Sequence, residues 1–212
     1  MQTGEKCELE VDVQALRDSS DSIPGTPTDC NKVQYSIHLL SFKGGKDVWK
    51  LSVQERLELA RHHKTLGTDK FKTGDIRAAA VHYSKALKYL IPIKLDELHE
   101  ETIRKDTLAL TSVSLLNLAA CQLKFKQDHH AAQNCTKVLQ IEPENVKALY
   151  RRGLALINMS DFDQAREDLI KARSLEPSNR AIEDQLRSLE AKVQAQKTKY
   201  KDALKTMFGG KT

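Results

Sequence analysis

The chain has 212 residues, room for one or two small domains, and its 40% apolar and 30% charged residues are ordinary for a water-soluble globular protein. One Trp, five Tyr and five Phe are too few to line an aromatic ligand pocket, and they fit a helical core of Leu, Ala and Ile. The net charge of +5 is modest, acidic over residues 1–50 and basic over 180–212, and without a zinc-finger or RNA-recognition signature it excludes a dedicated nucleic-acid binder.

The first twenty residues carry charges throughout and no apolar h-region, so no signal peptide is expected. No stretch approaches the roughly 18–20 apolar residues that span a bilayer, so no membrane partner is expected either. Cys7, Cys30, Cys121 and Cys135 form no CxxC pair. A reduced, intracellular protein follows, cytoplasmic with the nucleus as a second compartment.

Over residues 1–50 the apolar side chains alternate, Leu9, Val11 and Val13, then Val33, Tyr35, Ile37 and Leu39. That is the period of two half-buried strands. The turn-rich run Ser19–Asp29 separates them as a loop. Two strands cannot hold a core alone, so the segment either packs on the helical part or is a remnant of a larger β domain.

From Ser52 onward the pattern turns helical and repetitive. Gly67, Ala119 and Gly153 align as one small position. Ala79, Ala131 and Ala165 follow at twelve residues, then Tyr83, Cys135 and Leu169, then Ala86, Val138 and Ala172, and finally Ile91, Pro143 and Pro177. The last two copies lie 34 residues apart at every position, the tetratricopeptide period. The first two are separated by 52, an excess of 18 near Ile91–Asp106 that is expected to lengthen the facing helices and their loop.

The expected fold is therefore mainly α. Residues 51–179 hold three repeats (about 60–93, 112–145 and 146–179), each an antiparallel helix pair, in a right-handed superhelix. Within a pair the small residues admit close backbone approach, the larger apolar residue fills the seam, and the closing Pro cannot continue a helix. Residues 180–212 form a further helix whose start, Ile182, Leu186 and Leu189, caps the open end of the stack.

Three such repeats line a groove with their first helices. Lys64 and Thr68 in the first repeat, Asn117 in the second, and Lys147 and Arg151 in the third fall at groove-facing positions, the pairs four residues apart on one helical face. Cations with an Asn between them suit a peptide that ends in a carboxylate. A solvated helix face is the bland alternative for any one of them, but several groups in register across three repeats argue for a site.

The strings KTLGTDKF, NLAACQLK and VKALYRRG resemble the carboxylate-clamp repeats of co-chaperones that bind Met-Glu-Glu-Val-Asp tails. Such tails belong to heat-shock protein 90, with a related one on heat-shock protein 70. VQYSIHLLSFKGGKDVWKLSVQERLE resembles the last strand of an FK506-binding domain with its linker, and KYKDALKTMFGG the final helix of the same proteins. The chain is thus similar to the divergent FK506-binding-protein (immunophilin) family with tetratricopeptide repeats. Residues 1–50 then correspond to the C-terminal part of an FK506-binding domain plus linker. The resemblance implies a co-chaperone adaptor with Lys64, Thr68, Asn117, Lys147 and Arg151 as its clamp. Many clamp proteins carry Asn where Thr68 stands, and the large immunophilins are similar to this chain in carrying Thr.

Family members isomerise prolyl bonds in an apolar aromatic pocket, lowering a rotation barrier of roughly 18–20 kcal/mol. The region before the repeats offers only Tyr35, Phe42 and Trp49 and is about half the length of a complete domain, so no isomerase activity and no catalytic residue are expected. Trp49 is expected to anchor the linker on the first helix. An isomerase with a competent N-terminal part, or a scaffold for another acidic peptide, are the alternative readings. His62-His63 and His129-His130 point in divergent directions and are expected on exposed helix surface. Cys121 and Cys135 fall at interior repeat positions, as small apolar residues. With no phosphate loop and no nucleophile elbow, neither a cofactor nor a metal is expected. Lys192, Lys197, Lys199, Lys201 and Lys205 interleave with Val193, Tyr200, Leu204 and Met207, compatible with a calmodulin target or with the solvated end of the capping helix.

Overall fold

In a computed structural model of the chain, which describes residues 6–12, 32–38, 47–95 and 98–208, the N-terminal alternation forms a two-stranded ladder. β1 (Lys6–Asp12) pairs antiparallel with β2 (Lys32–His38), placing Leu9 opposite Tyr35 and Val11 opposite Val33. Val13, Leu39, Phe42 and the expected loop at 19–29 lie outside the described residues. The chain divides into two units, Met1–Asp47 and Val48–Thr212, and the second holds seven helices among its described residues.

That second unit opens on a single 3-10 turn, Val48–Lys50. Here the expectation for Trp49 fails. Its ring is 77% exposed, and the apolar anchor is Leu51, two residues on and buried. The Trp49 carbonyl, by contrast, accepts a hydrogen bond from Arg56. The first long helix, α1 (Val53–Lys72), starts in a capping box: Ser52 Oγ accepts from the Glu55 amide and Glu55 accepts from the Ser52 amide, satisfying two otherwise orphaned donors.

The remaining helices are α2 (Ile76–Leu90), α3 (Glu101–Lys124), α4 (Asp128–Ile141), α5 (Val146–Asn158), α6 (Phe162–Leu175) and α7 (Arg180–Phe208). Apolar spacing decides which face each buries. In α2 the buried Ala79, Tyr83, Ala86 and Leu90 recur every three or four residues, one stripe of a 3.6-residue helix. Consecutive helices pack on one another along the whole unit, and α1, α3 and α5 touch in series as well. The small aligned residues set how closely each pair approaches. A Cβ on Gly67 would stand 2.8 Å from Tyr83 Cε1, and one on Gly153 would stand 3.0 Å from Leu169 Cγ. The first is closer than packed side chains tolerate, and the second would force Leu169 to give by a few tenths of an ångström.

The turn inside each pair follows one design. Gly74, Lys126 and Ser160 occupy the same repeat position, and all three have positive φ, at 87°, 56° and 65°. Asp75 and Asp161 then cap α2 and α6 by accepting from the amides of Ala78 and Gln164. Gln127 stands at the corresponding place before α4 without a side-chain cap bond.

The 18 extra residues go mostly to one helix. α3 is 24 residues long against 13 for α5, while α2 and α4 are nearly equal at 15 and 14. The extension is packed: Leu98, Ile103 and Leu110 lie against a cluster of Leu57, Ala60, Ala86, Leu90 and Ile93. Arg61 on α1 meets Asp106 on α3 at 2.8 Å. At the far end, Ile182, Leu186 and Leu189 of α7 are buried with Leu149, Leu156, Leu169 and Ala172 of the third repeat. Beyond them Tyr200, Leu204 and Met207 continue the stripe as exposed residues. None of these helices is long and apolar enough to cross a membrane.

Candidate peptide-binding site

The sequence singled out Lys64, Thr68, Asn117, Lys147 and Arg151. α1 carries the first two a turn apart, α3 carries Asn117, and α5 carries the last two a turn apart, so all five stand on the helices that touch in series. Three of them converge on one side chain the sequence reading treated only as seam filling. The Tyr83 hydroxyl donates to Thr68 Oγ1 at 3.3 Å, and Thr68 Oγ1 donates to the Lys64 carbonyl at 2.9 Å. Asn117 and Arg151 act on the same hydroxyl. Burial pushes its pKa up from 10.0, while the hydrogen-bonding Thr68 and Asn117 and the nearby guanidinium oppose that.

Tyr83 is therefore the pivot of the arrangement, reaching up from α2 between helices α1 and α3. Its ring is held because Gly67 leaves it the space. A signal existed in the repeat alignment: the equivalent residues are Cys135 and Leu169, and only Tyr83 has a polar tip.

Arg151 is a half-buried cation of an unusual kind. Its Nη1 donates to the Leu116 carbonyl at 2.6 Å, and no carboxylate pairs with it among the described residues. Desolvation lowers its pKa, with Cys135, Cys121 and Tyr83 opposing. A guanidinium stays charged regardless, so the charge sits partly desolvated without a counter-ion.

The next residue shows the contrast. Arg152 closes on the buried Asp168 through two bonds of 2.6 Å, Nε to Oδ2 and Nη2 to Oδ1, and reaches Thr136 at 3.2 Å. The hydrogen bond to Asp168 raises its pKa. Arg152 is satisfied within the fold, whereas Arg151 is bonded to one carbonyl and has donors to spare.

Lys64 and Lys147 lie one turn along from Thr68 and Arg151, where helical neighbours are about 5–6 Å apart. Lys64 is half-buried and Lys147 exposed, and neither ammonium meets a carboxylate among the described residues. Two lysines without a carboxylate partner among the described residues, a guanidinium, an amide and the Thr68 hydroxyl are groups whose chemistry suits an anion.

Other residues settle differently. Cys121 and Cys135 are fully buried, as expected, and burial pushes their thiols up to about 11 and about 12. They stay protonated and unreactive at neutral pH. His129 and His130 are exposed, and so is His62. His63 is not, which corrects the reading of that pair: it is half-buried, stacked on Tyr89 with 5.8 Å between centroids, and its Nδ1 lies 3.1 Å from His82 Nδ1. The two ring centroids are 5.4 Å apart, which leaves room only for the nitrogens to meet head-on. One ring donates and the other accepts. No group of three or more metal-ligating side chains occurs among the described residues.

This fold, antiparallel helix pairs packed in series, defines a tetratricopeptide-repeat module. The tetratricopeptide-repeat family model matches residues 146–179, the third repeat. The peptidyl-prolyl cis-trans isomerase FKBP4 of Bos taurus is 36% identical over 177 residues, covering 84% of this chain and 38% of its own length. The solved C-terminal TPR-containing domain of an FK506-binding protein from Plasmodium falciparum is 30% identical with a TM-score of 0.68, covering 72% of this chain and 99% of that one. The Hsp90 co-chaperone Cns1 of Saccharomyces cerevisiae is 25% identical with a TM-score of 0.60, covering 72% of this chain and 45% of its own.

The chain belongs to the FK506-binding-protein family, in its branch with tetratricopeptide repeats. It spans between 38% and 54% of the length of such curated relatives, and what it shares with the isomerases includes the repeat region.

Proposed function

We propose that the groove holds the acidic C-terminal tail of heat-shock protein 90, of the Met-Glu-Glu-Val-Asp type, and that the chain is a co-chaperone adaptor linking that chaperone to clients or regulatory partners. The observation that carries this is Arg151, a half-buried guanidinium bonded to one carbonyl and, among the described residues, to no carboxylate. The likeness to the Hsp90 co-chaperone Cns1 supports it. Arg151 and Lys147 take the terminal carboxylate and a nearby acidic side chain, Lys64 takes a second carboxylate, and Asn117 with Thr68 holds the peptide backbone. Charged hydrogen bonds of roughly 1.5–3 kcal/mol each bring a short tail to about micromolar affinity, near −8 kcal/mol.

Calorimetry with a Met-Glu-Glu-Val-Asp peptide tests the reading. Lys147→Ala or Arg151→Ala should cost roughly 2–5 kcal/mol, and raised salt should weaken binding to the unaltered chain. Equal binding by wild type and Lys147→Ala, or none by either, sinks it. The related tail of heat-shock protein 70 is the natural competitor, and displacement by unrelated acidic peptides with equal strength would favour a general scaffold instead.

The role proposed is binding, not catalysis. A proline-isomerisation rate above background would reverse that. The exposed Tyr200, Leu204 and Met207 among exposed lysines of α7 support a second reading for that end, a calmodulin-binding helix. Calcium-dependent complex formation checks it.

A further inference from the structure

An open crevice lies elsewhere in the helical unit. It has a volume of about 670 Å³, and none of the five clamp residues lines it. One wall is the outer face of α2, where Arg77, Val81, Lys85 and Lys88 recur at helical spacing. The other is the C-terminal part of α3 and its cap, with Leu118 and Phe125.

Two features set this crevice apart from ordinary surface. Val81 is 49% exposed and Phe125 42%, so a crevice floored by Leu118 has large apolar groups at its lip as well. Arg77, Lys85 and Lys88 border it, no acidic residue lines it, and none of the three cations makes an ion pair among the described residues. Its volume falls within the range of roughly 300–1,000 Å³ common for ligand sites, and its polar lining is cationic or uncharged.

We propose that this crevice is a second docking surface, taking a segment of a partner protein that places an apolar side chain between carboxylates. Charge complementarity selects an acidic segment, and the apolar lip and floor select a central anchor. Arg77 and Lys88 lie eleven residues apart on one helix, about 16 Å at 1.5 Å per residue. An extended peptide covers that in about five residues. The segment is therefore short, with acidic groups at both ends and its apolar side chain opposite Val81 and Phe125.

The probe is acetyl-Glu-Asp-Leu-Phe-Glu-Asp-amide, whose blocked C-terminus denies the clamp its terminal carboxylate. Titrated into the whole isotope-labelled chain, it should shift the amides of residues 77–88 and 118–127 with a dissociation constant below about 1 mM. Lys85→Glu with Lys88→Glu, both at exposed positions, should weaken it by about tenfold or more, and Lys147→Ala should leave it unchanged. A charge-reversed acetyl-Lys-Lys-Leu-Phe-Lys-Lys-amide should not bind the unaltered chain, a comparison that holds even if the double variant folds poorly. The proposal falls if no shift appears at about 2 mM peptide, or if shifts centre on Thr68, Asn117 and Arg151. It also falls if Gly-Gly in place of Leu-Phe binds equally well, since that removes the anchor. Preferential binding of phosphatidylserine vesicles, or self-association abolished by the charge reversal, would assign the crevice to a membrane or to a second copy and overturn it too.

Discussion

Two neighbours, Arg151 and Arg152, show how little the residue type alone says about a role. Both are arginines on α5, yet Arg152 is neutralised within the fold by the buried Asp168 and Arg151 is left with a carbonyl. The repeat register distinguishes them in the sequence, because only Arg151 falls on the groove side. Tyr83 could not be placed in the same way. Its hydroxyl meets Thr68 from fifteen residues away on another helix, a relation no single-helix period encodes. Replacing Tyr83 by Phe keeps the ring packed and removes the hydroxyl, so stability should fall by only about 1 kcal/mol. Peptide affinity should fall several-fold as Thr68 and Asn117 lose their shared partner. Thermal unfolding and calorimetry on the same variant separate the two effects, and a loss of stability with unchanged affinity would make Tyr83 a packing residue alone.

At the scale of the helix pair, element type and order were legible because apolar period, small-residue register and terminal prolines all agree. The turn chemistry was only partly legible. Gly74 announces a left-handed turn, but Lys126 and Ser160 adopt the same conformation without any residue preference to mark it. Ser160→Gly should therefore stabilise the chain by about 1 kcal/mol, while Gly74→Ala should cost a similar amount. Denaturant midpoints at constant slope check both. The α1–α2 pair also carries the His63–His82 contact, which joins residues nineteen apart and was hidden for the same reason as Tyr83. Burial, then His82, Lys85 and His62, hold the His63 pKa below its ordinary 6.5. Folded His63 thus binds a proton less readily than the same residue in the unfolded chain, so its stabilisation is complete above about pH 6.5. It is lost as acidity carries the pH down through 6.5 toward the folded value. Melting temperatures at about pH 7.5 and 5.5 should diverge less for His63→Gln than for the unaltered chain. Equal divergence would remove the pair as the cause.

Over the whole helical unit each helix packs mainly on its sequence neighbours, so stability approximates a chain of interface terms. The end of that chain depends on α7. Ending the protein after Asn179 removes the buried Ile182, Leu186 and Leu189 and uncovers Leu149, Leu156 and Leu169. At roughly 1.5–3 kcal/mol for each buried side chain, the loss approaches the 5–15 kcal/mol that holds a domain folded. Circular dichroism melts should show a large fall for that truncation and almost none for one ending after Gln196, since residues 197–207 of α7 are exposed. The long α3 is the part of this architecture the sequence could place but not apportion. The excess between the first two repeats was visible, but its share between helix and loop was set by Ile103 and Leu110 finding a cluster to join. That local pattern has a kinetic consequence. Most partners of a side chain here lie within the same or the next helix, so closing the native contacts demands few long loops. Such low contact order belongs to chains that fold within microseconds to milliseconds. A ligand joining α1, α3 and α5 would tie together stretches of chain that no fast local step connects, adding about 2.7 kcal/mol at a hundredfold excess over its dissociation constant.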